Sequence, residues 1–478
     1  MGETVSNVSP LSATFFCFAV LGGVLSWCYR ADPARRTAAL ASLTVVFWAW
    51  VGVRDLLALV FVSGFVWFVS ERVVRAKEKR AKKRWMVLGV TGSLAVLFFF
   101  KSVPELAGFA YELGQRDSPF DSWWQPLGVA VLALQAVMCV VDTYRGDAGE
   151  ATFAETVLAI GFFPRAIAGP LMRQEKLVAQ LRKPWGGEVD LAHVATLLLS
   201  GALKRYVLME TLLRFDAVTT AANRDLGAWD SLWHLLVGPI LFVVDVSAYT
   251  DIAMAAGLVC GVRLPSNFNA PFAGWTMGEM WRRWHISISG FFRDYVIAPV
   301  RGSGGGGARS AIAILAGVCA IGLWHVAVPW MLLWSFGLGT PIAIETLLAQ
   351  RRLRRGERAK RVVPSPVRRW AQAAAVFLYI ALLAQLFHGA GLGDWWRSLT
   401  SLGNPLWQTN WADWWVVVCI ITGWAVGAGL FGRLGEGVQR VLSKLPAWAL
   451  GGVLSMAVTF CAAFSDGGIP RFYYQRLG

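Results

Sequence analysis

Apolar runs long enough to cross a bilayer recur along the chain. They fall at about 11–29, 37–53, 55–70, 85–100 and 125–143, and again at about 308–328, 330–349, 367–388, 409–431 and 446–464. A helix needs about 20 mostly apolar residues to cross the hydrocarbon core, and it pairs its own backbone groups as it does so. The pattern predicts an all-α polytopic membrane protein, formed as one membrane domain over residues 1–478. Two runs are less regular. The one at about 190–214 carries Lys204 and Arg205 in its middle, and the one at about 231–262 carries Asp245, Tyr249 and Asp251. Thr156–Arg173 is apolar but short, holds Arg165, and is broken by Pro164, Gly169 and Pro170. Non-helical backbone at membrane depth needs surrounding protein, so this piece reads as reentrant or interfacial. The total comes to about eleven spans. No internal repeat is visible, which counts against an inverted-repeat transporter.

The loops between the runs set an orientation. Basic residues follow the first run (Arg30, Arg35, Arg36) and the third (Arg72 to Arg84). Positive loops stay in the cytoplasm, so the N-terminus is expected outside the cell. Pro104–Trp124 then reads as an outward interfacial loop. Leu11–Tyr29 lacks a basic flank before it and reads as a retained first span.

Composition agrees with the pattern. The chain is 56% hydrophobic and 16% charged, whereas a soluble domain carries roughly 25% charged residues. Its net charge of +15 does not point to nucleic acid, because most of it sits in short loops beside apolar runs. The clusters Arg72–Arg84 and Arg351–Val363 read as topology anchors beside anionic lipid, or as a docking surface for an acidic carrier or a phosphate-bearing donor. The seven cysteines have no CxxC spacing, and read as small buried residues.

Five histidines occur in the whole chain. Two of them form Trp-His pairs, Trp284-His285 and Trp324-His325. His325 ends an apolar helix, and Pro329 four residues later predicts a kink or break. A neutral imidazole at that depth can take a proton from a hydroxyl; it can equally be a core histidine bonded to a neighbouring helix. On a continuous helix, Trp281, His285 and Ser289 share one face. Arg282 and Arg283 suit a phosphate or carboxylate, but fit the lipid interface better. Asp245 and Tyr249, four apart, line a wet cavity or glue helices together. Arg263–Phe272 reads as a loop from its Pro and Asn content, and Gly302–Gly307 as a hinge with no phosphate-loop context. No metal-ligand spacing and no GxSxG elbow are present. A histidine base without an obvious nucleophile points to direct transfer between two bound substrates.

The ordered set Gln125–Gly146, Phe162–Arg173, Gly201–Arg205, Asp245–Phe272, Met280–Val300 and Gly322–His325 resembles the membrane-bound O-acyltransferase family, and its alginate-type polysaccharide branch in particular. The resemblance is firmest over residues 125–345, and Arg471–Gln475 is similar to the family's aromatic ending. It implies a ring of helices around a tunnel, with His325 as the catalytic residue and His285 lining the same tunnel. On the same resemblance Trp281, Trp284, Trp324, Ser289, Asp245, Tyr249, Asn267 and Asn269 contribute to the tunnel's lining. Val326 stands where members commonly have the glycine of WHG, and Trp334–Gly339 lacks the further histidine often found there. Both departures bear on donor size and fine specificity.

The implied activity is O-acyl transfer at the cell inner membrane. A cytoplasmic thioester, acetyl-CoA or an acyl carrier, serves as donor substrate with no bound cofactor. The acceptor is a hydroxyl of an extracytoplasmic polysaccharide, or of a periplasmic acyltransferase partner. D-alanyl or another acyl transfer to a surface polymer is the alternative within this class. Outside it stand a transporter or flippase using the histidines as proton relays, and a scaffold for a partner enzyme.

Overall fold

The computed structural model describes residues 13–114, 123–213, 227–303, 306–356, 364–388, 392–404, 413–430 and 432–463. The helices run in chain order as α1 (Ala13–Cys28), α2 (Pro33–Val51), α3 (Val53–Arg75), α4 (Lys79–Leu97), α5 (Val103–Leu113), α6 (Val129–Arg145) and α7 (Phe153–Gly161). There follow α8 (Gln174–Leu181), α9 (Leu191–Ala202), α10 (Ala228–Val259), α11 (Met277–Arg283), α12 (Ile286–Phe292) and α13 (Ala298–Arg301). The last are α14 (Gly307–His325), α15 (Trp330–Arg354), α16 (Pro366–His388), α17 (Leu392–Thr400), α18 (Asp413–Gly427), α19 (Gly432–Leu442) and α20 (Ala447–Ala463). The described residues contain no strand. Seven helical stretches among them are long and apolar enough to cross a membrane, and three shorter apolar helices accompany them. The chain is a multi-pass, all-α membrane protein.

It divides into two compact units. The first takes residues 1–202, 249–266 and 437–475. Its central helix is α6, buried on almost every face and packed on both α3 and α4. A helix buried all round cannot keep a polar stripe, which is why Val129–Val140 is nearly continuous in apolar residues. The exception is Gln135, and it serves the segment that follows. Its amide donates to the carbonyls of Ala159 (2.5 Å) and Met172 (3.1 Å) and accepts from Met172 N (3.1 Å). Residues 155–172 are all buried, although the backbone is irregular beyond Gly161. Arg165 donates to the Leu158 carbonyl (2.8 Å) and to that of Ala159, and Tyr249 Oη bridges Pro164 O and Ile167 N (3.0 and 3.1 Å). Protein groups thus satisfy the backbone where the helical ladder stops.

Pro104 gives a correction. Residues 103–113 form α5 rather than a loop. A π-turn at Phe98–Ser102 widens the helix just ahead of the proline, where the missing N–H would otherwise interrupt the ladder. Residues 115–122 of the expected loop lie outside the described residues, as do Gly304 and Gly305 of the hinge, 357–363 of the second basic cluster, and Arg471–Gln475. Cys139, Cys260 and Cys419 are buried as expected, but Cys17 and Cys28 are exposed.

The second unit takes residues 203–248, 267–436 and 476–478. Its frame is the antiparallel pair α14 and α15, the most closely packed helices in it. Gly322 lets them approach: a Cβ there would fall on Ser335 Oγ and within 2.9 Å of the Met331 carbonyl. The Glu345 carboxylate, on α15, accepts from Met277 N and Gly278 N (2.9 Å each) and so seats the start of α11. Met277, Met280, Val318, Leu338, Ile342 and Ile380 form the apolar core beneath, with Trp281, Trp284 and Trp334 packed against it.

Candidate functional site

His325 is the last residue of α14. Val326 turns extended (φ −147°), and Pro329 caps the start of α15. The proline thus marks a full break between two helices, and the break leaves His325 at a helix end rather than inside a packed ladder. The imidazole is 7% exposed. Trp324 lies against it at 4.5 Å between ring centroids, with Phe242 and Trp334 edge-on at 6.4 Å.

The Trp284-His285 pair also sits at a helix break, which is a second correction. The expected single helix through Trp281, His285 and Ser289 stops at Arg283 and restarts at Ile286. His285 takes the left-handed conformation, φ 39° and ψ 57°. A residue with a Cβ pays about 1–2 kcal/mol to sit there, and such geometry persists only where its surroundings enforce it. The enforcing group is the loop after Arg263. Asn269 N donates to Arg283 O (3.1 Å), and Ile286 N donates to Asn267 O (2.7 Å). Ser287 Oγ donates to Asn267 Oδ1 (2.6 Å). Phe242 stacks on Trp284 (5.3 Å, 7° between planes), and Phe268 meets Trp284 edge-on at 5.9 Å.

His285 is 5% exposed, and its buried Nδ1 meets no hydrogen-bond partner among the described residues. Burial lowers its pKa from the ordinary histidine value to about 3. The ring is therefore neutral across the physiological range.

Both imidazoles line one cavity, mostly apolar, of about 60 Å³. Trp281, Trp284 and Ser289 line it as well, so five of the ten residues singled out in the sequence meet there. Ser289 Oγ is turned to backbone carbonyls, those of Trp284 and His285 at 3.2 Å and that of Ile286 at 3.3 Å. Sequence reasoning missed Phe242, Trp334 and Ile321. Phe242 approaches both histidines, at 5.9 Å from His285 and 6.4 Å from His325. Its one signal was position: it lies one helical turn before Asp245, which drew the attention instead. Cavities near this size hold a few waters or a small ligand fragment.

The other five residues lie outside that lining. Trp324 backs His325 from the side. Asp245 is buried in an ion pair, its Oδ1 at 2.9 Å from Arg205 Nη1 with both side chains at 0–1% exposure. Tyr249 supports the irregular segment of the first unit. Asn267 is wholly buried and holds the turn at His285, and Asn269 is exposed and contributes backbone bonds. Asp245 and Tyr249, expected to share a cavity face, belong to different units. Among the described residues no group of three or more His, Cys, Asp or Glu could hold a metal ion.

No family model matches the chain. Individual relatives do. It is 29% identical over 344 residues to a probable alginate O-acetylase, AlgI, of Pseudomonas aeruginosa, covering 70% of this chain and 66% of the relative. It is 22% identical over 368 residues to a peptidoglycan O-acetyltransferase of Helicobacter pylori, covering 69% and 68%. It is 24% identical over 382 residues to a teichoic acid D-alanyltransferase of Streptococcus thermophilus, covering 75% and 88%. The chain thus spans just under two thirds of the Pseudomonas relative's length.

Proposed function

We propose that the chain is a membrane-bound O-acyltransferase, like the relatives it resembles, and that it transfers a small acyl group, acetyl, from a thioester donor to hydroxyls destined for the cell surface. The observation that carries this reading is the pair of buried histidines, each at a helix break, lining one apolar cavity. The relatives act on alginate, peptidoglycan and teichoic acid by name, which supports a surface polymer as the ultimate acceptor.

In this reading His325 accepts the hydroxyl proton as the hydroxyl oxygen attacks the thioester carbonyl carbon. The new C–O bond forms, the C–S bond breaks, and the proton passes from the imidazolium to the departing sulfur. Atoms and charge balance without a metal or redox partner. Positioned base catalysis of this kind contributes typically 10²–10⁴-fold. His285, neutral and with Nδ1 unpartnered, orients the acceptor or the carbonyl. The mostly apolar lining strengthens each polar contact made inside it.

The donor, acetyl-CoA or an acyl carrier, loads from the cytoplasmic side of the inner membrane, and the N-terminus lies outside. The basic stretches at Arg30–Arg36 and Arg72–Arg84 support that orientation. The acceptor is an extracytoplasmic polysaccharide or a periplasmic partner protein that finishes the transfer. The test is direct: purified protein in liposomes, labelled acetyl-CoA or acetyl-loaded carrier, and a soluble glycan acceptor. Labelled acetyl in the acceptor supports the reading. A labelled D-alanyl donor used in preference to acetyl would favour the alternative within the class, and movement of substrate with no acyl transfer would reject both.

A further inference from the structure

We infer that Asn267 is a positioning residue that holds His285 in its working orientation, through the bonds it makes on the two residues that follow. The inference rests on the proposed role of His285 in acyl transfer and adds a residue that acts on it from outside the cavity.

The turn at Trp284-His285 has no local reason to form. Arg-Arg-Trp-His-Ile-Ser contains no glycine, and every residue in it can continue a helix. What stops the helix is pairing with the loop before it. Asn269 N bonds to Arg283 O, just ahead of the pair, and Asn267 O receives Ile286 N, just behind it. The two residues between are bracketed. The side-chain bond is the third point: Ser287 Oγ reaches Asn267 Oδ1 at 2.6 Å, the shortest of the three. Asn267 is wholly buried, so water cannot replace it there. Phe268, the next residue, meets the His285 ring at 5.9 Å. With the clamp in place, φ at His285 is held at 39° and its imidazole lines the cavity. With it gone, the backbone is free to relax toward a right-handed helix, and the ring swings off its position.

Asn267 and Ser287 are both absent from the cavity lining. Their loss is therefore expected to lower turnover and leave substrate affinity alone. Misplacing a catalytic group by an ångström costs up to about 10²-fold in rate. We expect Asn267→Leu and Ser287→Ala each to lower kcat about 10- to 100-fold with KM unchanged. Ser287→Thr keeps the hydroxyl and is expected to retain the wild-type rate.

The deciding measurement is the same pair of substitutions in a His285→Ala background, assayed in liposomes at matched protein abundance and melting temperature. If Asn267 acts through His285, neither substitution slows His285→Ala further. If both slow it by their full factors, or if Ser287→Ala has the wild-type rate, the inference is overturned. Should Asn267→Leu fail to accumulate, the Ser287→Ala and Ser287→Thr comparison decides alone. A wild-type rate in His285→Ala itself would instead overturn the proposed role of His285, and the clamp's role with it.

Discussion

The closeness of α14 and α15 at Gly322 makes a quantitative prediction about how His325 is held. Replacing Gly322 with alanine adds one methyl group three residues before the histidine. That methyl would land on Ser335 Oγ and lie 2.9 Å from the Met331 carbonyl, which is backbone and cannot rotate away. Ser335 is fully buried and bonded to the same carbonyl (2.7 Å), so it has nowhere to turn. The helices must part. Alanine recovers about 1 kcal/mol of helix propensity over glycine, while overpacking costs about 1–3 kcal/mol. The net loss of stability is therefore at most about 2 kcal/mol. The effect on rate is larger. Relief of the contact needs a shift of roughly 1 Å at the helix that ends in His325, worth up to about 10²-fold in turnover. Adding Ser335→Ala removes the Oγ and leaves a Cβ at 3.5 Å, an ordinary contact. The double variant should recover most of the rate but not all, because the Met331 carbonyl remains. The assay is acyl transfer by purified protein in liposomes, beside a melting curve in detergent. An unchanged rate in Gly322→Ala, or no recovery in Gly322→Ala/Ser335→Ala, would refute the reasoning.

Asp245→Asn should cost about 3–5 kcal/mol and lower membrane abundance, because it removes the buried carboxylate charge that faces Arg205 Nη1 at 2.9 Å; Arg205→Met/Asp245→Leu should restore abundance, and equal abundance in Asp245→Asn would contradict this. His285→Asn, a side chain that tolerates the left-handed conformation, should melt like wild type yet lose about 10²-fold in turnover; a lower melting temperature with full specific activity would reverse that assignment. Burial alone would raise the Glu155 carboxyl, but its bonds to Arg182 and Thr152 outweigh burial and hold it below the usual carboxylate range. Its stabilising contribution is therefore full above the ordinary glutamate pKa and lost as pH falls through the depressed value. Arg182 is half exposed, so the effect is small, about 1 kcal/mol or less. Melting temperatures of wild type and Arg182→Gln should differ at pH 7 and converge as pH falls through the depressed Glu155 value; a constant difference would contradict the linkage.

The sequence was most informative where one residue type decides the backbone. Apolar runs located the long helices, and Pro329 located the break beside His325. Glycine 146, the left-handed cap of α6, closed a run that ended where the polar residues began. Reading failed where partners far along the chain decide. His285 sits in a segment with good helical pattern, and only the asparagine loop overrides it. Asp245 was open between a wet cavity and a helix-to-helix bond, and Arg205, 40 residues earlier on another helix, decides for the bond. Tyr249 looked the same, yet its hydroxyl is spent on the backbone of Pro164 and Ile167. Pro104 looked like a loop because the π-turn that accommodates it has no sequence signature. Phe242 carried no polar atom to draw notice, and its place between two histidines depends on how α10 packs on the helix ends.

The central claim is that His325 is the base for acyl transfer. Its direct test is the single-turnover rate of acetyl transfer from a labelled thioester by purified His325→Ala and His325→Gln in liposomes, against wild type and Trp324→Phe. The account predicts a loss of 10²-fold or more in both His325 variants, with melting temperature and donor binding preserved. Acetyl transfer by His325→Ala at the wild-type rate would contradict it.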